Sequence, residues 1–240
     1  MHSLVTVGVG SQFNGLWARK GDAALFLFWS FQGTLSMNRS VRLVRSGDSL
    51  AAIHVTTVAV ILFVTAALFL LRGRPARSDN RAGSRLVALV GTWSIIPLTA
   101  LPLTWRPDWL LSCVTIGLIA AYAFVLWSLL TLRRNLSIFP EARVLVRHGP
   151  YALVRHPLYS AHIACYVLIC LPRLGAIAVV VAAIGIAGEV MRARNEERIL
   201  GLTFPEYAGY AETTPRFLPG LASVRGAQAQ LHSAVLVDHR

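Results

Sequence analysis

Between Leu50 and Leu71 the chain carries one ionisable side chain, His54, in a run of hydrophobic and small residues. About 20 such residues, each rising 1.5 Å in a helix, match a hydrocarbon layer of ~30 Å. The pattern recurs at Leu86 to Leu103, broken by Pro97 and Pro102, and at Trp109 to Leu132, with Trp109 and Trp127 placed for the membrane interfaces. Two further runs, Leu158 to Leu171 and Leu174 to Gly188, are separated by Pro172-Arg173, room only for a tight turn. Inside lipid every backbone N–H and C=O has to be satisfied within the segment, which selects helices. The expected fold is therefore an all-α, polytopic transmembrane bundle of about five spans. The second and third spans form one hairpin through Thr104–Asp108, and the fourth and fifth form another.

Composition agrees: 55% hydrophobic and 14% charged residues, with a mean hydropathy of +0.57, exclude a soluble globule. A formal net charge of +12 would suggest a nucleic-acid partner in a soluble protein. Here the arginines punctuate apolar runs, where they meet anionic headgroups, so membrane lipids are the expected partner and nucleic acid is not. Arg72, Arg74, Arg77, Arg81 and Arg85 crowd one connection, while Arg106 and Arg173 stand alone in the alternate ones. Positive loops stay inside, which predicts a multi-pass protein with residues 133–157 and 189–240 in the cytoplasm, at the inner membrane if the cell is bacterial. Arg39, Arg42 and Arg45, just before the first span, oppose that orientation. Cys113, Cys165 and Cys170 lack paired spacing, so no metal site and no disulfide framework is expected.

Four regions follow. Residues 1–48 read as an N-terminal extension, partly without order or preceding the true start: Ala23 to Leu35 is too short to span, no signal-peptide cleavage pattern follows, and Met37 offers a start just ahead of the first helix. Residues 49–132 hold the N-terminal transmembrane helices, 133–219 a catalytic region with a helical hairpin, and 220–240 a flexible tail rich in Ala, Gly, Ser and Gln.

The polar chemistry gathers in two clusters. Residues 143–159, RVLVRHGPYALVRHPLY, put two His, three Arg and two Tyr directly ahead of a membrane-entering helix. Gly149-Pro150 is a turn signal and Pro157 opens the next helix, whose N-terminus suits an anionic group. Snorkelling arginines within an aromatic belt would give the same composition. The second cluster, Glu189, Arg192, Glu196, Glu197 and Arg198, lies at the end of the last apolar helix. Glu189, Arg192 and Glu196 share one helical face, as an acid–base–acid stripe into the bundle or as a solvated charged face. His54 and His162, alone in apolar helices, are structural hydrogen-bonding groups or relay sites.

Taken together, Leu145-Val146, Gly149-Pro150-Tyr151, Arg155-His156-Pro157-Leu158-Tyr159, Glu196-Glu197, Phe204 to Tyr207 with Tyr210, and Pro215-Arg216-Phe217-Leu218-Pro219 stand in the order of a family pattern. The stretch from about Arg133 to Pro219 resembles the isoprenylcysteine carboxyl methyltransferase family, with its bacterial relatives and the related phospholipid N-methyltransferases. Two positions depart from the pattern: Arg143 stands where the family often has His, and Phe204-Pro205-Glu206-Tyr207 is one residue shorter than usual.

The resemblance implies an integral membrane methyltransferase using S-adenosyl-L-methionine, without the soluble Gly-x-Gly-x-x-Gly fold. Arg143, Leu145, Val146, Tyr151, His156, Pro157, Leu158, Tyr159, Glu196 and Glu197 would hold that cofactor. Arg192 and Glu196 would be catalytic toward a lipophilic, isoprenoid- or lipid-like acceptor, through a carboxyl or another heteroatom. A sterol-reductase-like enzyme using NADPH shares part of the pattern, and a non-enzymatic membrane assembly or transport factor is the remaining alternative.

Overall fold

The computed structural model describes residues 10–72 and 75–220, with side chains from residue 21 onward. Residues 1–9 of the N-terminal extension, Arg74 and the tail from residue 221 lie outside the described residues. Helix α1 (Gly10–Arg45) runs antiparallel to α2 (Ser49–Leu71), joined by a turn at Gly47, whose φ of 83° favours glycine. The Asp48 side chain caps α2 by accepting from the Ala51 N–H at 3.1 Å. Ser40 ties the pair together, meeting the Ala52 carbonyl at 3.1 Å and the Thr56 hydroxyl at 2.6 Å.

The second apolar run is two helices, α3 (Ala82–Trp93) and α4 (Ile95–Ala100), broken at Ser94. Pro97 causes the break, because it has no N–H for the Trp93 carbonyl and its ring crowds that group. In lipid the freed groups need new partners. Tyr166 supplies one, donating to the Gly91 carbonyl at 3.0 Å and meeting the Ser94 hydroxyl at 2.6 Å.

Helix α5 (Asp108–Leu132) is followed by a single 3₁₀ turn (Arg133–Asn135) and a short segment in which Glu141–Ala142 (β2) pairs antiparallel with Arg77–Ser78 (β1). A four-residue helix α6 (Pro150–Leu153) leads into α7 (Pro157–Cys170), a 3₁₀ turn (Leu171–Arg173), α8 (Ala176–Thr203) and α9 (Tyr207–Thr213).

Among the described residues, four helical segments are long and apolar enough to cross a membrane: Ser49–Leu71, Ala82–Ala100, Asp108–Asn135 and Ala176–Thr203. This differs from the five spans expected. The fourth run is α7, whose 14 residues fall short of the roughly 20 needed to cross, so it forms the short arm of a hairpin with α8. The chain is an integral membrane protein, and large apolar side chains face outward along it, including Ile177, Val180 and Ile184 on α8 and Ile116 and Leu130 on α5. Inside, Leu98, Val114, Leu118, Tyr166, Ile169 and Ala182 form one core, and Phe69, Val125, Leu129 and Ala161 another.

Helices α3 and α8 cross at two glycines. A Cβ added to Gly188 would sit 2.9 Å from the Gly91 Cα, and one added to Gly91 would meet the Arg192 side chain at 2.7 Å. Backbone contact at this crossing lays the Arg192 side chain along α3.

The bundle has two poles. At one, the ends of α2, α5 and α8 and the starts of α3 and α7 meet the β1–β2 ladder, and Arg77 donates to the Leu202 carbonyl at 3.1 Å. At the other, the loops after α4 and α7 join, with the Thr104 N–H donating to the Pro172 carbonyl at 2.9 Å.

Candidate functional site

At the first pole, the turn before α7 and the last third of α8 bring both sequence clusters together. Gly149, with φ 61°, opens α6; Pro150 and Pro157 start α6 and α7 with the fixed φ a first turn needs. His156 is thereby held at the mouth of α7, 4% exposed, its ring stacked on Tyr159 with centroids 5.4 Å apart.

Glu197 is the most heavily bonded carboxylate in the cluster. Arg216 donates to it twice, at 2.9 and 2.6 Å; Arg155 lies 3.2 Å away, and the His156 Nε2 also stands at 3.2 Å. A planar guanidinium on two carboxylate oxygens is among the stronger charge-assisted pairings. The backbone repeats the attachment: the Arg155 and His156 N–H groups donate to the Pro215 and Arg216 carbonyls at 2.8 and 3.1 Å, and the Ser160 hydroxyl to the Phe217 carbonyl at 2.8 Å. Residues 215–217 are thus a strap across the start of α7. Its hydrogen bonds to Glu197 raise the Arg216 guanidinium above its ordinary value.

Glu196 is different. It accepts one hydrogen bond, from the Tyr159 hydroxyl at 2.8 Å, stands 3.9 Å from the His156 Nδ1, and stays 31% exposed. Behind Tyr159, the Arg192 guanidinium lies 4.8 Å over the ring, a cation–π contact, and donates to Glu189 at 3.0 and 3.3 Å. His162 Nδ1 meets the same carboxylate at 3.1 Å. Glu189 and Arg192 are both buried, so each charge depends on the other.

Glu196, His156 and Tyr151 border two adjoining cavities. Leu158 and Tyr159 line one; Arg143, Leu145 and Val146 line the other. The Arg143 side chain is 4% exposed and reaches Glu141 at 2.6 Å, but its Nε and Nη1 have no partner. Arg155 and Arg192 each leave a buried Nε unpaired as well. Beside the cavities, burial pushes the Tyr207 phenol up to about 12 and holds Tyr151 and Tyr210 well above the phenol range, so all three are neutral donors at physiological pH. The arrangement can receive a hydrogen-bond donor at Glu196 and an acceptor at Arg143.

Of the residues singled out in the sequence, Pro157 is buried in the first turn of α7 and lines neither cavity. Glu197 turns away from the cavities toward Arg155, His156 and Arg216, and Arg192 lies behind Tyr159. The stripe on α8 splits: Arg192 pairs with Glu189 at i,i+3, whereas Glu196 is engaged by Tyr159 from α7. The clamp of Arg155 and Arg216 on Glu197, and the bond from His162 to Glu189, were not expected. Helical spacing reports neighbours on one helix, and these partners come from another helix, from the loop before α7 or from the strap. Among the described residues no three His, Cys, Asp or Glu side chains come together as a metal-ligand group.

A second polar anchor sits on the outer side of this pole. Asp79, 5% exposed, accepts from Arg81 at 3.1–3.2 Å and from Arg198 of α8 at 2.7 Å, while its N–H donates to the Pro140 carbonyl at 2.9 Å. Burial pushes the Asp79 carboxyl up, but hydrogen bonds from Arg81, Ser84 and Arg198 outweigh it and hold the group well below the usual carboxylate range.

No protein-family model matches the chain. It is similar to the cobalt-zinc-cadmium resistance protein CzcN of Cupriavidus metallidurans, with 36% identity over 131 residues, 51% of this chain and 55% of that protein. It is also similar to the nickel-cobalt-cadmium resistance protein NccN of Alcaligenes xylosoxydans xylosoxydans, with 33% identity over 134 residues, 53% of this chain and 58% of that protein. The chain thus spans about half the length of the curated relatives it matches. Both relatives are named for metal resistance, and neither for methyl transfer. This corrects the expectation drawn from the motifs: membership of the isoprenylcysteine carboxyl methyltransferase family, the methyltransferase activity and the S-adenosyl-L-methionine cofactor are overturned. The NADPH-reductase and assembly- or transport-factor alternatives gain no support either. The motif elements were individually short, and their order over about 90 residues describes a membrane-entry architecture as well as an activity.

Proposed function

We propose that this chain takes part in resistance to divalent transition-metal ions at the membrane, within the range of cobalt, nickel, zinc and cadmium. The observation that carries the reading is the alignment of half the chain with two proteins named for resistance to those metals. Supporting it is the placement of charged and polar side chains where a membrane helix leaves lipid. Ionisable groups at that depth are costly to maintain and are the default sites of function. The reading gives the chain a part in the response and assigns it no coordination centre.

Within the site, Glu196 is the acting carboxylate, because it borders both cavities and keeps accepting capacity free, whereas Glu197 is occupied as a structural hub. This reading takes the pole as cytoplasmic, and the gathering there of Arg77, Arg81, Arg85, Arg133, Arg134, Arg143, Arg147 and Arg155 supports it.

The test is removal of the chain from its host, followed by growth in graded cobalt, nickel, zinc and cadmium, with calcium as the control ion. Tolerance to at least one transition metal falls and is restored by the wild-type chain but not by Glu196→Gln. Unchanged tolerance to all four metals overturns the proposal. Rescue by Glu196→Gln overturns the assignment of the site alone.

A further inference from the structure

At the pole opposite the ion-pair cluster lies a cavity of about 230 Å³, lined by Arg39 of α1, His54 of α2, Thr99 of α4, Val114, Leu118 and Tyr122 of α5, and Ile169 and Arg173 beyond. Its chemistry is unlike that of the other pole. Two guanidinium groups and an imidazole border it, and no carboxylate does. Among the described residues Arg39 makes no hydrogen bond or ion pair. Arg173 spends three N–H groups on the carbonyls of Leu101, Ile169 and Thr99, at 3.1, 2.9 and 3.4 Å, which leaves two of its five free. Deeper in, the His54 ring stacks on Tyr122 at 5.6 Å, and its buried Nε2 has no partner.

The depth and the walls say what kind of anion would fit. Val114, Leu118 and Tyr122 stand six, ten and fourteen residues along α5 from Asp108, which places them roughly 9 to 21 Å down the helix. The wall there is largely apolar and the surroundings are hydrocarbon, which a hydrated inorganic anion would have to shed water to enter. A ligand with an anionic head and an apolar body meets both conditions. Its phosphate pairs with Arg39 and Arg173, and its apolar body runs beside Val114, Leu118 and Ile169.

We propose that this cavity binds one phospholipid through an anionic phosphate headgroup, independently of the resistance reading and on the face away from the Glu196 site. The shared chemistry is phosphate; the source is lipid. Binding is a property of the folded bundle and needs no partner chain.

The experiment uses the full chain, delipidated in a non-ionic detergent, with native mass spectrometry to count bound molecules during titration. Phosphatidylglycerol binds saturably with one tight site, and Arg39→Gln weakens it about tenfold, the effect of losing one charge-assisted contact. Thr99→Trp, at the exposed rim, blocks the cavity without disturbing the core and abolishes the tight site. Three outcomes overturn the proposal. Equal binding of uncharged diacylglycerol would mean that the apolar walls alone select the occupant. Inorganic phosphate competing at millimolar concentration would assign the site to a free anion. A tight site unaffected by both substitutions would place the lipid elsewhere.

Discussion

The two poles of the bundle handle basic side chains in opposite ways. Around Glu197, two guanidinium groups and an imidazole converge on one carboxylate, and Glu189 and Asp79 are likewise each held by two basic side chains. Around the cavity at the other pole, Arg39, Arg173 and His54 meet no carboxylate among the described residues. Charge that is closed within the protein tends to hold structure, and charge left open tends to await a ligand. The comparison teaches that density of polar residues does not by itself mark a binding surface. The richest cluster in the sequence is mostly self-satisfied, and among the described residues Glu196, Arg143, Arg155 and Tyr207 are cavity-lining groups that keep hydrogen-bonding capacity.

The largest expected effect is at the hub. Glu197→Gln leaves Arg155, His156 and Arg216 without their shared counter-charge, and breaking one partner of a buried ionic cluster costs about 3–5 kcal/mol. Thermal unfolding of the purified protein in detergent should show this loss, together with early proteolysis after residue 213 as the strap detaches. If the variant unfolds like wild type, the first pole is not closed and the contrast between poles fails.

Asp79→Asn should cost less, about 1–3 kcal/mol, since Ser84 and the backbone contacts remain. Its pH dependence has a definite sign. The folded carboxyl titrates below its unfolded value, so its contribution is complete above the ordinary carboxylate range, near pH 4, and fades as pH falls below it. Wild type therefore loses stability on acidification through that range by more than Asp79→Asn does. Parallel unfolding curves for the two proteins down that pH series would show that Asp79 carries no such contribution.

How much of this was legible in the sequence divides along the same line. Apolar runs set by bilayer thickness are readable because one length scale decides them, and Pro97 and Pro172 marked where the backbone would bend. The shortness of α7 was visible as a 14-residue run, yet its hairpin with α8 made it read as a fifth span. Residues near each other along α8 were readable as a stripe, whereas the pairing of Glu197 with Arg216 joins a helix to a strap 19 residues away, which no helical period encodes. The opposite cavity was the least legible: Arg39, His54, Thr99, Tyr122 and Arg173 come from five separate elements and lie among ordinary apolar neighbours. Ordered motifs, finally, described the polar pole's layout well while pointing to an activity that the relatives' names overturn.

The smallest effect on the bare protein separates the poles most sharply. Arg39 is exposed and unpaired among the described residues, so Arg39→Gln in lipid-free detergent should shift stability by no more than about 0.5 kcal/mol, the range of ordinary surface substitutions. Adding phosphatidylglycerol changes the reference, because a ligand that binds only the folded state stabilises it by RT ln(1 + [L]/Kd), about 2.7 kcal/mol at a hundredfold excess over Kd. Under the same lipid concentration a tenfold weaker site leaves about 1.4 kcal/mol. Wild type and Arg39→Gln should therefore unfold together without lipid and part by roughly half of the lipid-induced gain with it, whereas Glu197→Gln should gain as much from lipid as wild type does while remaining less stable throughout. A substitution at the hub that also erased the lipid-induced gain would mean the poles are coupled through the bundle, and the division between closed and open charge would then describe one site seen from two ends.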